Sequence, residues 1–127
     1  MDPLFLTVAE VLSLHADQIA EHGGSHGVRD IGLLESAIGN AAATFGGEFL
    51  NATIFEMAAA YLYGICKNHP FVDGNKRAAA AAALTFLDLN GVEIDADQDD
   101  LYDLVIGVAE GRVSKAAAAV FFENHTG

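Results

Sequence analysis

Near the middle of the chain, nine polar-rich residues, His69-Pro70-Phe71-Val72-Asp73-Gly74-Asn75-Lys76-Arg77, separate two runs without a charged side chain, residues 57–66 and 78–87. Both runs are too apolar to be left in water, so any fold must bury them against each other and bring the nine residues out at their junction. Behind Thr53 and Glu56, which read as a capping box, the first run is apolar nearly all round and predicts a central buried helix. That helix should end near Asn68, because residues before Pro70 are pushed away from helical geometry. The second run opens with the alanines of residues 78–83, which allow close helix-on-helix approach, with Leu84, Phe86 and Leu87 as bulk. Asn90-Gly91 is its stop signal.

The nine residues carry a specific chemistry. His69 supplies an imidazole, the side chain most often used as a general base. Asp73 is a hard oxygen ligand suited to a magnesium ion. Gly74 permits a positive φ or a close ligand, and Asn75, Lys76 and Arg77 begin a helix whose N–H groups and dipole favour a phosphate chain. Phe71 is the expected hydrophobic anchor, and Pro70 stiffens the entry. Taken singly, each has an ordinary reading: an exposed histidine, a capping aspartate, a Gly-Asn turn, surface cations. Together they read as general base, metal ligand and phosphate cradle. The sequence holds no P-loop, G-x-G-x-x-G, H-E-x-x-H or G-x-S-x-G motif to compete with them.

At 127 residues a single domain, 1–127, is expected. A composition that is 52% hydrophobic is that of a globular chain rather than a disordered one. The formal net charge of -12 argues against direct nucleic-acid binding, since a phosphate backbone would be repelled. Neither apolar run is long enough to span a bilayer, so no membrane association is expected. The first residues, Met1-Asp2-Pro3, lack the basic flank of a signal peptide, and Cys66 is the only cysteine. A reduced, cytoplasmic protein is the expectation.

In chain order, Thr7 and Glu10 form a capping box for a first helix that Gly23-Gly24 ends. His22 and His26 then fall in a loop. With His15 upstream they form no recognised zinc spacing, and solvated histidines are expected. Asp30 caps a second helix carrying Leu33, Leu34, Ala37 and Ile38. Residues 40–51, with Gly46-Gly47 and isolated aromatics, read as a long connection or flap. Its two readings are a border of the active site, lining a partner groove, and a plain surface loop. Residues 92–94 are a short extended piece. Asp95-x-Asp97-x-Asp99 begins like a calcium loop but fails at Asp100 and Ile106, leaving an acidic helix start. Leu101, Leu104, Val105 and Val108 give that helix its apolar face, and Ser114 caps a last helix through Phe121 and Phe122. The chain therefore reads as all-α, with about six helices around a central antiparallel pair.

Residues 69–77 closely resemble the hallmark of the Fic/Doc family, His-Pro-Phe-x-Asp/Glu-Gly-Asn-Gly/Lys-Arg, at every fixed position. Three further segments look like its Doc branch, named for death on curing: Asp30-Ile-Gly-Leu-Leu-Glu-Ser-Ala-Ile38, Ala43-Thr-Phe-Gly-Gly-Glu48 and Phe86-Leu-Asp-Leu-Asn-Gly91. The resemblance implies a compact six-helix toxin of a toxin–antitoxin pair. It implies His69 as base, Asp73 as Mg2+ ligand, and Gly74, Asn75, Lys76 and Arg77 as the phosphate site. Fic-type adenylyltransferases usually carry glycine where this chain has Lys76, and a second arginine where it has Ala80. By resemblance, lysine obstructs the pocket for the α- and β-phosphates, so that ATP presents its γ-phosphate. The reaction implied is phosphorylation of a threonine of elongation factor Tu, which stops translation. The best-known member of the branch has asparagine where this chain has Ala81, which bears on how the nucleotide fits. The implied partner is a cognate antitoxin whose disordered C-terminal segment folds on binding. The alternatives are AMP transfer by a Fic-type adenylyltransferase and a non-catalytic member that only binds a partner.

Overall fold

In the computed structural model, residues 2–127 are described. Capping chemistry sets where the helices begin. Helix α1 (Val8–His22) opens on a complete capping box between Thr7 and Glu10 and closes on Gly23, at φ 82°. Helix α2 (Ile31–Ala41) starts where the Asp30 side chain accepts the Leu33 N–H. Helix α3 (Ile54–Asn68) has Thr53 accepting the Glu56 N–H. The expected box is only half closed there, because the Glu56 carboxylate accepts the Ala52 N–H instead of that of Thr53. Helix α4 (Asn75–Leu89) follows the polar loop, α5 (Gln98–Ala109) starts in the acidic segment, and α6 (Lys115–Asn124) is capped by Ser114. Among the described residues no helix is long and apolar enough to cross a membrane.

Helix α3 is the axis of the fold. It packs against α2, α4, α5 and α6, and its interface with α4 is the most extensive in the molecule. Small residues make that closeness possible. Ala58, Ala59 and Ala60 on α3, and Ala78, Ala79, Ala82 and Ala83 on α4, are all buried. Phe86 and Tyr61 fill the far end of the seam, with ring centroids 5.2 Å apart. The Tyr61 hydroxyl accepts the Leu6 N–H at 3.0 Å. Asn90 exchanges two hydrogen bonds with the backbone of Leu4, which ties the extended N-terminal residues across the end of α4. The all-α architecture with its central α3–α4 pair is therefore as the sequence indicates.

One segment and one residue differ from that reading. Residues 40–51 contain a small antiparallel hairpin, β1 (Thr44–Phe45) and β2 (Glu48–Phe49), turning at Gly46-Gly47. It does not border the cleft described below. It precedes the first turn of α3, whereas His69 follows the last, roughly 20 Å along the helix. The connection that lies against the polar loop is instead the one between α1 and α2. Val28 bridges Phe71, and Val72 donates its N–H to the Gly27 carbonyl at 3.0 Å. The second difference is His15, which is buried on α1 at 4% exposure and is not a solvated histidine.

Candidate active site

The six residues after α3 turn the chain back into α4. His69 caps α3 with φ 47° and ψ 55°, a left-handed conformation. It is the one non-glycine residue at positive φ among those described. Such a backbone costs about 1–3 kcal/mol and persists only where its surroundings impose it. Arg29 supplies part of that imposition. Its Nε donates to the His69 carbonyl at 2.7 Å and its Nη2 to the Asn68 carbonyl at 2.8 Å. The backbone N–H groups of Arg29 and Asp30 both reach the Pro70 carbonyl. The His69 side chain itself is exposed.

Phe71 is the anchor, buried to 1% exposure. His15 lies on its ring face, and its Nε2 donates to the Asp73 carbonyl at 2.7 Å. Asn75 closes the loop from inside: its Oδ1 accepts the Phe71 N–H at 2.9 Å and its Nδ2 donates to the Phe71 carbonyl at 3.0 Å. The Asn75 amide is thus occupied within the loop, and what it presents outward is its backbone N–H. Gly74 sits at φ 75°, the positive value its place in the loop suggested, and no side chain caps α4. The first-turn N–H groups of α4 are left to a ligand, at the positive end of the helix dipole.

The Asp73 carboxylate accepts the Ser25 N–H at 3.1 Å and the Gly74 N–H at 2.8 Å. Those two bonds, with Arg77 and His15 nearby, hold its carboxyl below the ordinary range. Asp73 is exposed. Arg77 donates to the Gly23 carbonyl at 3.1 Å, which joins α4 to the end of α1.

His69, Asp73, Gly74, Asn75, Lys76 and Arg77 all line one cleft of about 620 Å³. Ala80 continues that wall along α4, and α5 forms the other with Leu101, Tyr102, Val105 and Ile106. The cleft has the size of a small-molecule site, with cations and a helix N-terminus on one side and apolar surface on the other. That pairing suits an anionic ligand with an apolar body. The six residues read from the sequence as base, metal ligand and phosphate site therefore line one cleft. Sequence reasoning missed Arg29 and His15, which shape the loop from outside it. His15 had a signal: Val11, His15 and Ile19 recur four apart, and all three are buried on one stripe of α1. Arg29 had none, since the carbonyls it holds lie 39 and 40 residues away.

Comparison with known proteins gives a consistent picture. The model of the Fic/DOC family matches residues 5–87. The chain is similar to "Protein kinase doc" of Escherichia phage P1, 38% identical over 110 residues that cover 87% of this chain and 86% of that protein. It is also similar to "Toxin Doc" of Mycolicibacterium smegmatis, 48% identical over 77 residues, covering 61% of this chain and 59% of that one.

Proposed function

The chain belongs to the Fic/DOC family, and from that premise we propose that it is a Doc-type toxin, a protein kinase that moves the γ-phosphoryl group of ATP to a threonine of elongation factor Tu and so stops translation. The observation that carries the choice of reaction is the placing of Lys76 and Ala80 on one wall of the cleft. At those positions an adenylyltransferase of the family usually has a glycine and a second arginine. Here Lys76 lines the cleft where that glycine would leave room, and Ala80 offers no second guanidinium. A terminal phosphate, more highly charged than an internal one, is the better occupant beside Lys76 and Arg77.

The residues of the cleft then take these roles. His69 accepts the proton of the threonine hydroxyl as its oxygen bonds to the γ-phosphorus and the bond to the β-phosphate oxygen breaks, releasing ADP. The first-turn N–H groups of Asn75, Lys76 and Arg77, with the two cationic side chains, hold phosphate oxygens and offset their charge. Gly74 lets the backbone approach. The apolar face of α5, including Leu101 and Tyr102, suits the base end of a nucleotide. Asp73 would hold Mg2+, and its exposed, ionised carboxylate fits a hard cation. Among the described residues no three metal-ligating side chains gather. The magnesium ion would supply charge neutralisation on the phosphate oxygens.

The toxin reading brings a cognate antitoxin with it, one whose disordered C-terminal segment orders as it binds. The formal charge of -12 suits a basic segment. Incubation of the purified chain with translation factors and ATP tests the function. Modification of elongation factor Tu by the wild type, lost in His69→Ala while ATP binding is kept, is the expected result. Transfer by His69→Ala within a few-fold of wild type would remove His69 as the base.

A further inference from the structure

Helix α3 ends on a non-glycine residue in the left-handed conformation. Its last carbonyls have no partner within the helix, and its dipole places negative charge there. A glycine commonly follows such an end, because the left-handed turn that closes it is free of strain for glycine. Here the turn is made by His69, at φ 47°. Three successive carbonyls, those of Asn68, His69 and Pro70, then accept hydrogen bonds from one residue of the α1–α2 connection, Arg29. Two of these come from the guanidinium, at 2.8 and 2.7 Å, and one from the Arg29 backbone N–H, at 2.7 Å.

We infer that Arg29 is a positioning residue for the phosphoryl transfer, holding His69 in the left-handed turn that presents its imidazole to the cleft. The inference rests on the proposed kinase activity for its kinetic consequence, but not for its conformational one. The physical reason is the shape of the guanidinium. Water would satisfy the Asn68 and His69 carbonyls without fixing their directions. A planar fork with donors in set positions fixes both at once, and its charge opposes the negative end of α3. Without it, His69 is free to leave a conformation that only its surroundings sustain. The imidazole then leaves its place, although no group that touches substrate has been removed. Arg29→Ala is a clean probe, because the backbone bond from residue 29 to Pro70 survives the substitution.

The test uses the full chain as wild type, Arg29→Ala and Arg29→Lys. Three quantities are read: kcat and KM for ATP with elongation factor Tu as acceptor, the 13Cα and carbonyl shifts of Asn68 and His69 without substrate, and the folded fraction from urea unfolding. A misplacement of about 1 Å costs on the order of 100-fold, so kcat of Arg29→Ala should fall by ~10–100-fold. KM for ATP should stay within about three-fold, since the phosphate site is untouched. The His69 carbon shifts should move away from left-handed values. Arg29→Lys, with one point donor in place of a fork, should lie between the two in both readouts. The inference is overturned if kcat stays within about two-fold of wild type, if the loss appears in KM instead, if it merely follows the unfolded fraction, or if the His69 shifts do not move. Should Arg29→Ala fail to fold, Arg29→Lys carries the same test. If the wild type transfers nothing, the kinase reading has failed, and the His69 shifts alone decide whether Arg29 holds the turn.

Discussion

His15 lies flat on Phe71, with ring centroids 3.8 Å apart and planes 3° from parallel. From that position its Nε2 donates to the carbonyl of Asp73 at 2.7 Å. One side chain on α1 thus bears on both the anchor of the loop and the backbone of its acidic residue. Replacing His15 with Phe keeps an aromatic ring there and leaves the Asp73 carbonyl without its donor. The expected loss of stability is about 1–3 kcal/mol, the cost of an acceptor left unpaired. Replacing it with Ala should cost more, because the ring contact goes too. Urea unfolding of the two variants measures both.

Gly24 faces Asp73 from the α1–α2 connection. A Cβ on Gly24 would come within 2.7 Å of the Asp73 Oδ2 and 3.1 Å of Ile19 Cδ1, at a φ of +116°. Gly23→Ala is the matched control, since at φ +82° a Cβ there meets nothing within 4 Å. Both substitutions carry backbone strain of about 1–3 kcal/mol. Only Gly24→Ala should also displace the carboxylate. Magnesium-dependent nucleotide binding, followed by calorimetry, should weaken in Gly24→Ala and hold in Gly23→Ala.

Asp73 should stay ionised where ordinary carboxylates protonate. The amides of Ser25 and Gly74 favour its charged form, and Arg77 and His15 assist. Its folded pKa lies below its unfolded value, so the unfolded chain binds the proton more readily. The stability this contributes is fully present above the unfolded value of about 3.9 and is lost as pH falls through the folded one. A carbon-detected titration should place the Asp73 midpoint below 3.8. The stability difference between wild type and Asp73→Asn should be constant above about pH 5 and shrink below about pH 4.

Cys66 should be inert in the folded chain. It is 1% exposed on α3, and burial pushes its thiol up to about 11, against the lowering effect of Lys76 and Lys67. A chromogenic disulfide reagent at neutral pH should label it no faster than the chain unfolds. Urea at the unfolding midpoint should make labelling rapid.

Much of this was legible in the chain because the deciding interactions are local. Thr7, Asp30 and Ser114 each cap a helix through an amide three residues on. Phe71 stood out as the one large apolar side chain able to pin a polar loop between two buried runs. What was not legible depends on tertiary approach. The Arg29 guanidinium meets carbonyls that no periodicity connects to it. His15 looked like one more histidine near a loop until its place on the Val11–Ile19 stripe was weighed. Residues 40–51 lie next to α3 in sequence, which suggested nearness to the site. The direction of a 15-residue helix puts that segment at the opposite end. Asn75 reads as a phosphate ligand by its place in the motif, yet its amide turns back four residues to Phe71.

We propose that the γ-phosphoryl group, and not AMP, is transferred. The physical basis is Lys76 and Ala80 on the wall of the cleft. The direct measurement incubates the purified chain and elongation factor Tu with ATP labelled at either the γ- or the α-phosphate, and follows label on the acceptor protein. Label is expected from the γ-position alone, on a threonine, and none from His69→Ala. Label from the α-position alone would contradict this and identify an adenylyltransferase.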